Sequence, residues 1–255
     1  MTLPDTPPPY LRAAVTAAER AQIEAMLGPI TDDVALHAVR DGRGGQFQRM
    51  EFLGDSVLDV VLVVHEWAEP ECPTCVKREA TAAASDVQLA AAARSAGLGA
   101  WLEWRASDER IADLVETCVA ACWLSGRWAH AARFTAQVVH PVADETVRAL
   151  TIGAVGLEPG RVGRRAGSAL LELAAGDAVV HAFPDADEGE LSTRRATIHR
   201  ATAIAVIAKE RGLGHRGDPD LVLSAVEDQV AAALAAGGAD VALLVAQHFV
   251  PVRHR

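Results

Sequence analysis

The run Ala93-Arg94-Ser95-Ala96-Gly97-Leu98-Gly99 returns as Ala208-Lys209-Glu210-Arg211-Gly212-Leu213-Gly214, and the chain around both copies keeps step. Each copy closes an alanine-rich stretch. Each is followed by a helical segment with a glutamate in it, ADLVETCVAACWLSGRW (112–128) and LSAVEDQVAAALAAGG (223–238), where Glu116 and Glu227 coincide. Upstream, MEFLGDSVLDVV (50–61) falls opposite RRAGSALLELAA (164–175), with Gly54 matching Gly167. A spacing kept over so long a stretch reads as duplication of a domain rather than as a short solenoid repeat. The boundary is expected in HPVADET (140–146), where a proline and acidic residues break the helical pattern.

Both copies read as helical. Alanine-rich runs are many and aromatic residues make up 4% of the chain, which disfavours sheets. Ala13, Ala17, Ile23, Met26 and Leu27 recur near the helical period until Gly28-Pro29 stops them, and a short helix is expected over 32–39. Gly42, Gly44 and Gly45 read as a loop. The apolar stretch from Met50 to His65 contains enough valine to suggest a strand over 57–64, but its length favours a helix. Residues 1–9 hold four prolines and read as a flexible arm.

The charge balance restricts the partners. With 24 basic and 34 acidic residues, the formal charge of −10 is opposite to what a protein needs if it grips nucleic acid mainly through charge. Any RNA or DNA contact must then be local. Four cysteines, no leader-like start and no apolar run that reads as long enough to span a bilayer set the expectation of a cytoplasmic protein away from membranes.

Four acids stand out. Glu51 and Asp55 are spaced i, i+4 and Asp113 and Glu116 i, i+3, so each pair shares one face of its helix. Their neighbours are apolar: Phe52, Leu53, Val57 and Leu58 around Asp55, and Ile111, Leu114, Val115 and Val119 around the second pair. An acid beside a core face is expensive unless a cation or hydrogen bonds compensate it. Four converging carboxylates would form an oxygen-only site suited to Mg²⁺ or Mn²⁺ and unsuited to Zn²⁺. Spacing alone equally allows ordinary solvated helix acids.

The octapeptide Glu51-Phe52-Leu53-Gly54-Asp55-Ser56-Val57-Leu58 resembles the ribonuclease III signature. Asp113-Leu114-Val115-Glu116 falls where that family carries its second acidic pair, and FPDADEGELSTRRA (183–196) resembles the acidic loop that follows its signature helix. The resemblance implies an all-α chain of two ribonuclease III-like domains packed as an intramolecular pseudo-dimer, with residues 10–140 as the first and 141–255 as the second. It implies hydrolysis of phosphodiesters in double-stranded or structured RNA, with Glu51, Asp55, Asp113 and Glu116 holding Mg²⁺ or Mn²⁺. Family members often carry a further glutamate where this chain has Gln48.

The second copy departs from the pattern. Arg164 stands opposite Glu51, Ser168 opposite Asp55 and Ser224 opposite Asp113, so Glu227 alone survives. One carboxylate will not hold a catalytic Mg²⁺ cluster, and the second domain is expected to be inactive. Arg161, Arg164, Arg165, Arg194, Arg195 and Arg200 could form a local basic face for RNA phosphates; for Arg194 and Arg195 the alternative is a solvated helix face. The acids Asp187, Glu188 and Glu190 are expected near the first domain's site, across the pseudo-dimer.

Lesser signals remain. Cys72 and Cys75 form a CxxC, and with Cys118 and Cys122 they could bind a structural zinc; the alternative is that the last two are small core residues. His65 is expected to be packed or hydrogen-bonded, and Trp101, Trp104, Trp123 and Trp128 to fill the core or the domain interface. No β-rich segment with a lysine-rich helix suggests a double-stranded-RNA-binding domain. RNA affinity would then come from the nuclease domains, a homodimer or a protein partner. The expectation is a one-site endoribonuclease; the alternative is a non-catalytic RNA-binding or ribosome-associated protein on the same fold.

Overall fold

The computed structural model describes residues 14–68, 82–98, 106–153, 161–212 and 218–250. Tyr10, the proline-rich segment 1–9, Cys72, Cys75, Trp101 and Trp104 lie outside them, as does the side chain of Arg161. The described regular structure is helical throughout: α1 (Ala17–Leu27), α2 (Asp33–Asp41), α3 (Gly45–Ala68), α4 (Asp86–Ser95), α5 (Asp108–Val138), α6 (Asp144–Ile152), α7 (Arg161–Ala182), α8 (Glu188–Ile198), α9 (Ala201–Glu210) and α10 (Pro219–Gln247).

Local chemistry sets the ends. Thr16 and Glu19 form a reciprocal capping box on α1, and Gly28 closes it at φ 79°. Asp32 accepts from the Ala35 amide to start α2, and Gly42 ends it in the left-handed region. The glycine loop is shorter than expected, because Gly45 already belongs to α3.

The valines of 57–64 lie in helix, not strand. α3 packs on α5 along one side and on α7 along another. Val57, Val60, Val61 and Val64 are all fully buried, and a helix enclosed this way is apolar nearly all round. α7 packs on α10 as α3 does on α5, with α4 against α5 and α9 against α10.

Glycines mark both crossings. A Cβ built on Gly54 would lie 1.8 Å from the carbonyl oxygen of Glu116, and one on Gly167 would lie 2.1 Å from that of Glu227. The long helices also break at matching points. α5 leaves helical geometry at Arg127 (φ 56°) and α10 at Gly238 (φ 82°).

Two expectations need correction. The segment read as an acidic loop is a helix from Glu188 onward, with Asp187 as its N-cap accepting from the Glu190 amide. The expectation that no run is long enough to span a bilayer also fails for α10, which passes on length and composition at a mean hydropathy of 1.7. Its packing on α6, α7 and α9, with Val226, Val230, Leu234 and Ala242 buried, makes it a core helix.

Candidate metal centre

The burial pattern of the two crossing helices leaves one edge open. Between Glu51 and Val64 of α3, every residue is buried except Glu51, Asp55 and Asp59, spaced i, i+4, i+8. Between Ile111 and Trp123 of α5, the residues not buried are Asp113 and Glu116. The apolar majority of each helix is spent on packing, and the acids collect where both helices reach the surface.

Glu51, Asp113 and Glu116 each place a carboxylate oxygen within 4.8 Å of the others, an arrangement that could hold a metal ion. Burial, then the charges of Asp55, Glu51 and Asp113, push Glu116 up to about 9. Burial, followed by Glu188, Asp113 and Asp55, raises Glu51 to about 8. Asp113 rises to about 6, again chiefly through burial, with Glu109 and Glu188 next. Half-buried carboxylates repelling one another relax when a divalent cation arrives, and an all-oxygen donor set suits Mg²⁺ or Mn²⁺.

Asp55 stands apart. It lies outside this group of three, and its Oδ2 is 3.6 Å from Nη1 of Arg195, on α8. Glu188, at the start of the same helix, lines with Glu51, Asp113 and Gln48 a cleft of about 370 Å³. Its charge acts on Glu51 and Asp113, so of the acids of 187–190 Glu188 lies beside the site, while Asp187 caps α8 and Glu190 pairs with Arg194. Arg43, before α3, and Arg110, on α5, also line this cleft. Sequence reading passed over both; the loop glycines beside Arg43 and the position of Arg110 three residues before Asp113 were the available signals.

On α7 the line matching Glu51, Asp55 and Asp59 reads Arg164, Ser168 and Glu172. Arg164 donates through Nε and Nη2 to the two oxygens of Asp228, both at 2.9 Å. Glu227 is raised by burial, partly offset by a hydrogen bond from Ser168. A guanidinium fork there supplies a cation from the chain itself.

Four of the arginines considered for RNA, Arg164, Arg165, Arg194 and Arg195, have partners within the chain. Arg165 pairs at 2.5 Å with Glu66, whose side chain is 2% exposed. Arg194 pairs with Glu190 and covers the Phe183 ring, while Arg195 faces Asp55, Ser56 and Glu172. The expected open basic face is thus occupied by intramolecular partners at Arg164, Arg165, Arg194 and Arg195.

Among the described residues Cys118 and Cys122 are free and fully buried, and burial raises both thiols; the zinc expectation depends on Cys72 and Cys75, which lie outside the described residues. His65 lies 3.2 Å from the Thr146 hydroxyl through Nδ1 and meets the His140 ring edge-on. Trp123 and Trp128 pack in the core as a T-shaped pair. Arg49, unremarked in the sequence, is buried and donates to the carbonyls of Val180, Phe183 and Pro184 at the end of α7.

A scan against protein-family models finds no match. Among curated proteins, Ribonuclease 3 of Shewanella amazonensis is 50% identical over 48 residues, 19% of this chain and 21% of the relative. Ribonuclease 3 of Actinobacillus pleuropneumoniae serotype 5b is 38% identical over 71 residues, 28% of this chain and 32% of the relative. The chain thus matches between about a fifth and a third of the length of these relatives. The matches suggest membership of the ribonuclease III family.

Proposed function

We propose that this chain is a metal-dependent endoribonuclease that hydrolyses phosphodiesters of structured or double-stranded RNA, with one active site per chain. The observation that carries the reading is the convergence of Glu51, Asp113 and Glu116 oxygens from α3 and α5 within 4.8 Å. The partial likeness to Ribonuclease 3 proteins supports the choice of substrate.

Residues 10–140 form the active domain and 141–255 a degenerate copy, packed as a pseudo-dimer in the cytoplasm. The matched glycine crossings and matched helix breaks support that division. Glu51, Asp113 and Glu116 hold the cation, with Asp55 as the fourth ligand. A bound divalent ion supplies Lewis-acid activation of water and neutralises charge at the phosphate being cut. Arg43 and Arg110 orient that phosphate from the cleft wall. Glu188 adds negative charge from the second half. A homodimer or protein partner supplements RNA affinity.

The test is Mg²⁺- or Mn²⁺-dependent cleavage of a labelled hairpin RNA by the purified chain, lost in Glu116→Gln. The engagement of Asp55 by Arg195 favours a second reading, a non-catalytic RNA-binding or ribosome-associated protein. RNA binding without cleavage under either metal would establish it.

A further inference from the structure

Asp55 carries the strongest like charge acting on Glu116, yet its oxygens lie outside the group formed by Glu51, Asp113 and Glu116. What faces it instead is a built arrangement. Arg195 is 16% exposed, and its Nη1 donates to the Ser56 hydroxyl at 2.8 Å. Its Nε lies 3.7 Å from Glu172 Oε1, and its guanidinium sits 4.5 Å over the Phe52 ring. Ser56 and Phe52 are both buried, which fixes the platform. Asp55, by contrast, is 55% exposed, and its 3.6 Å contact is longer than a charge-assisted hydrogen bond. The guanidinium is anchored while the carboxylate is loosely held.

We propose that Arg195 is a positioning residue, a resident counter-ion that holds Asp55 aside when no divalent cation is bound and releases it when one arrives. Arg195 thereby sets the affinity of the centre without touching the cation. The proposal rests on the metal reading given above. Ser56, Phe52 and Glu172 retain the guanidinium after Asp55 leaves, so the exchange needs only the rotation of one exposed side chain. The same helix supplies Glu188 seven residues earlier, on the same face, so α8 sets both signs of charge around the centre.

Removing a resident cation makes a site more attractive to another, and the sign of that effect separates this role from a merely structural one. Mn²⁺ affinity is measured by calorimetry on the full chain after chelator treatment. Wild type is compared with Arg195→Gln and Arg195→Lys, each also in an Asp55→Asn background. Arg195→Gln is expected to bind Mn²⁺ about tenfold more tightly, Arg195→Lys close to wild type, and the gain should shrink with Asp55→Asn. Unchanged or weaker binding by folded Arg195→Gln overturns the proposal. If that variant does not fold, Glu172→Gln decides, since it frees the guanidinium to hold Asp55 and should weaken Mn²⁺ roughly threefold. Unchanged affinity there overturns the proposal as well. Wild type that binds no Mn²⁺ overturns the metal reading itself and this inference with it.

Discussion

Gly54 sits so close beneath Glu116 that the carbonyl oxygen of Glu116 occupies the space a Cβ would need. The crossing therefore fixes both the helix spacing and the height at which Glu116 meets Glu51. Gly54→Ala must part the helices, at a cost of about 3 kcal/mol in unfolding free energy, and should weaken divalent-metal binding as well. Gly167→Ala should cost a similar amount, because Glu227 crowds it in the same way, while disturbing the centre less. Denaturant unfolding midpoints and Mn²⁺ titrations check both.

The metal-free protein should lose stability as pH rises. Folding raises Glu116 to about 9, Glu51 to about 8 and Asp113 to about 6, from ordinary values of 4.5, 4.5 and 3.8. The native state thus holds more protons than the unfolded chain between roughly pH 4 and pH 9. Stability from these groups is complete below their unfolded values and drains away as pH climbs through the folded ones. Melting temperatures of chelated protein should fall across that window, less steeply in Glu116→Gln. Added Mn²⁺ should restore stability most at the alkaline end.

Neutralising one ligand should separate activity from stability. Glu51→Gln and Glu116→Gln each relieve repulsion between half-buried carboxylates, so both variants should melt higher than wild type without metal. Cleavage of hairpin RNA should nevertheless drop about a hundredfold or more. A variant that loses activity by unfolding would melt lower, and paired melting and cleavage assays distinguish the two.

A symmetric RNA duplex should be nicked rather than cut through. The edge of α7 offers Arg164 locked to Asp228, and Ser168 beside Glu227, where α3 and α5 offer their acids. Single-turnover cleavage should yield products broken in one strand. Breaks in both strands within one turnover would require a second competent centre.

Much of the site was legible because the acids interrupt apolar helices at face-sharing spacings, and Gly54 and Gly167 aligned by self-comparison alone. The kink at Arg127 was not, since nothing local marks an arginine with positive φ. Arg195 misled for a different reason. Adjacent arginines at 194 and 195 read as a basic face, and only tertiary packing reveals that Ser56, Asp55 and Glu172 receive the second. The sequence reading also passed over α10, whose length and composition suffice to span a bilayer; only its packing against α6, α7 and α9 shows it to be a core helix.

Because α8 sends Glu188 toward Glu51 and Arg195 toward Asp55, the acidic edge of α3 is finished by a helix from beyond residue 140. A gene fragment encoding only the amino-terminal portion would keep Glu51, Asp55, Asp113 and Glu116 yet lose Glu188 and Arg195, which act on them. One face of α8, seven residues of helical register from Glu188 to Arg195, thus carries both contributions to that edge.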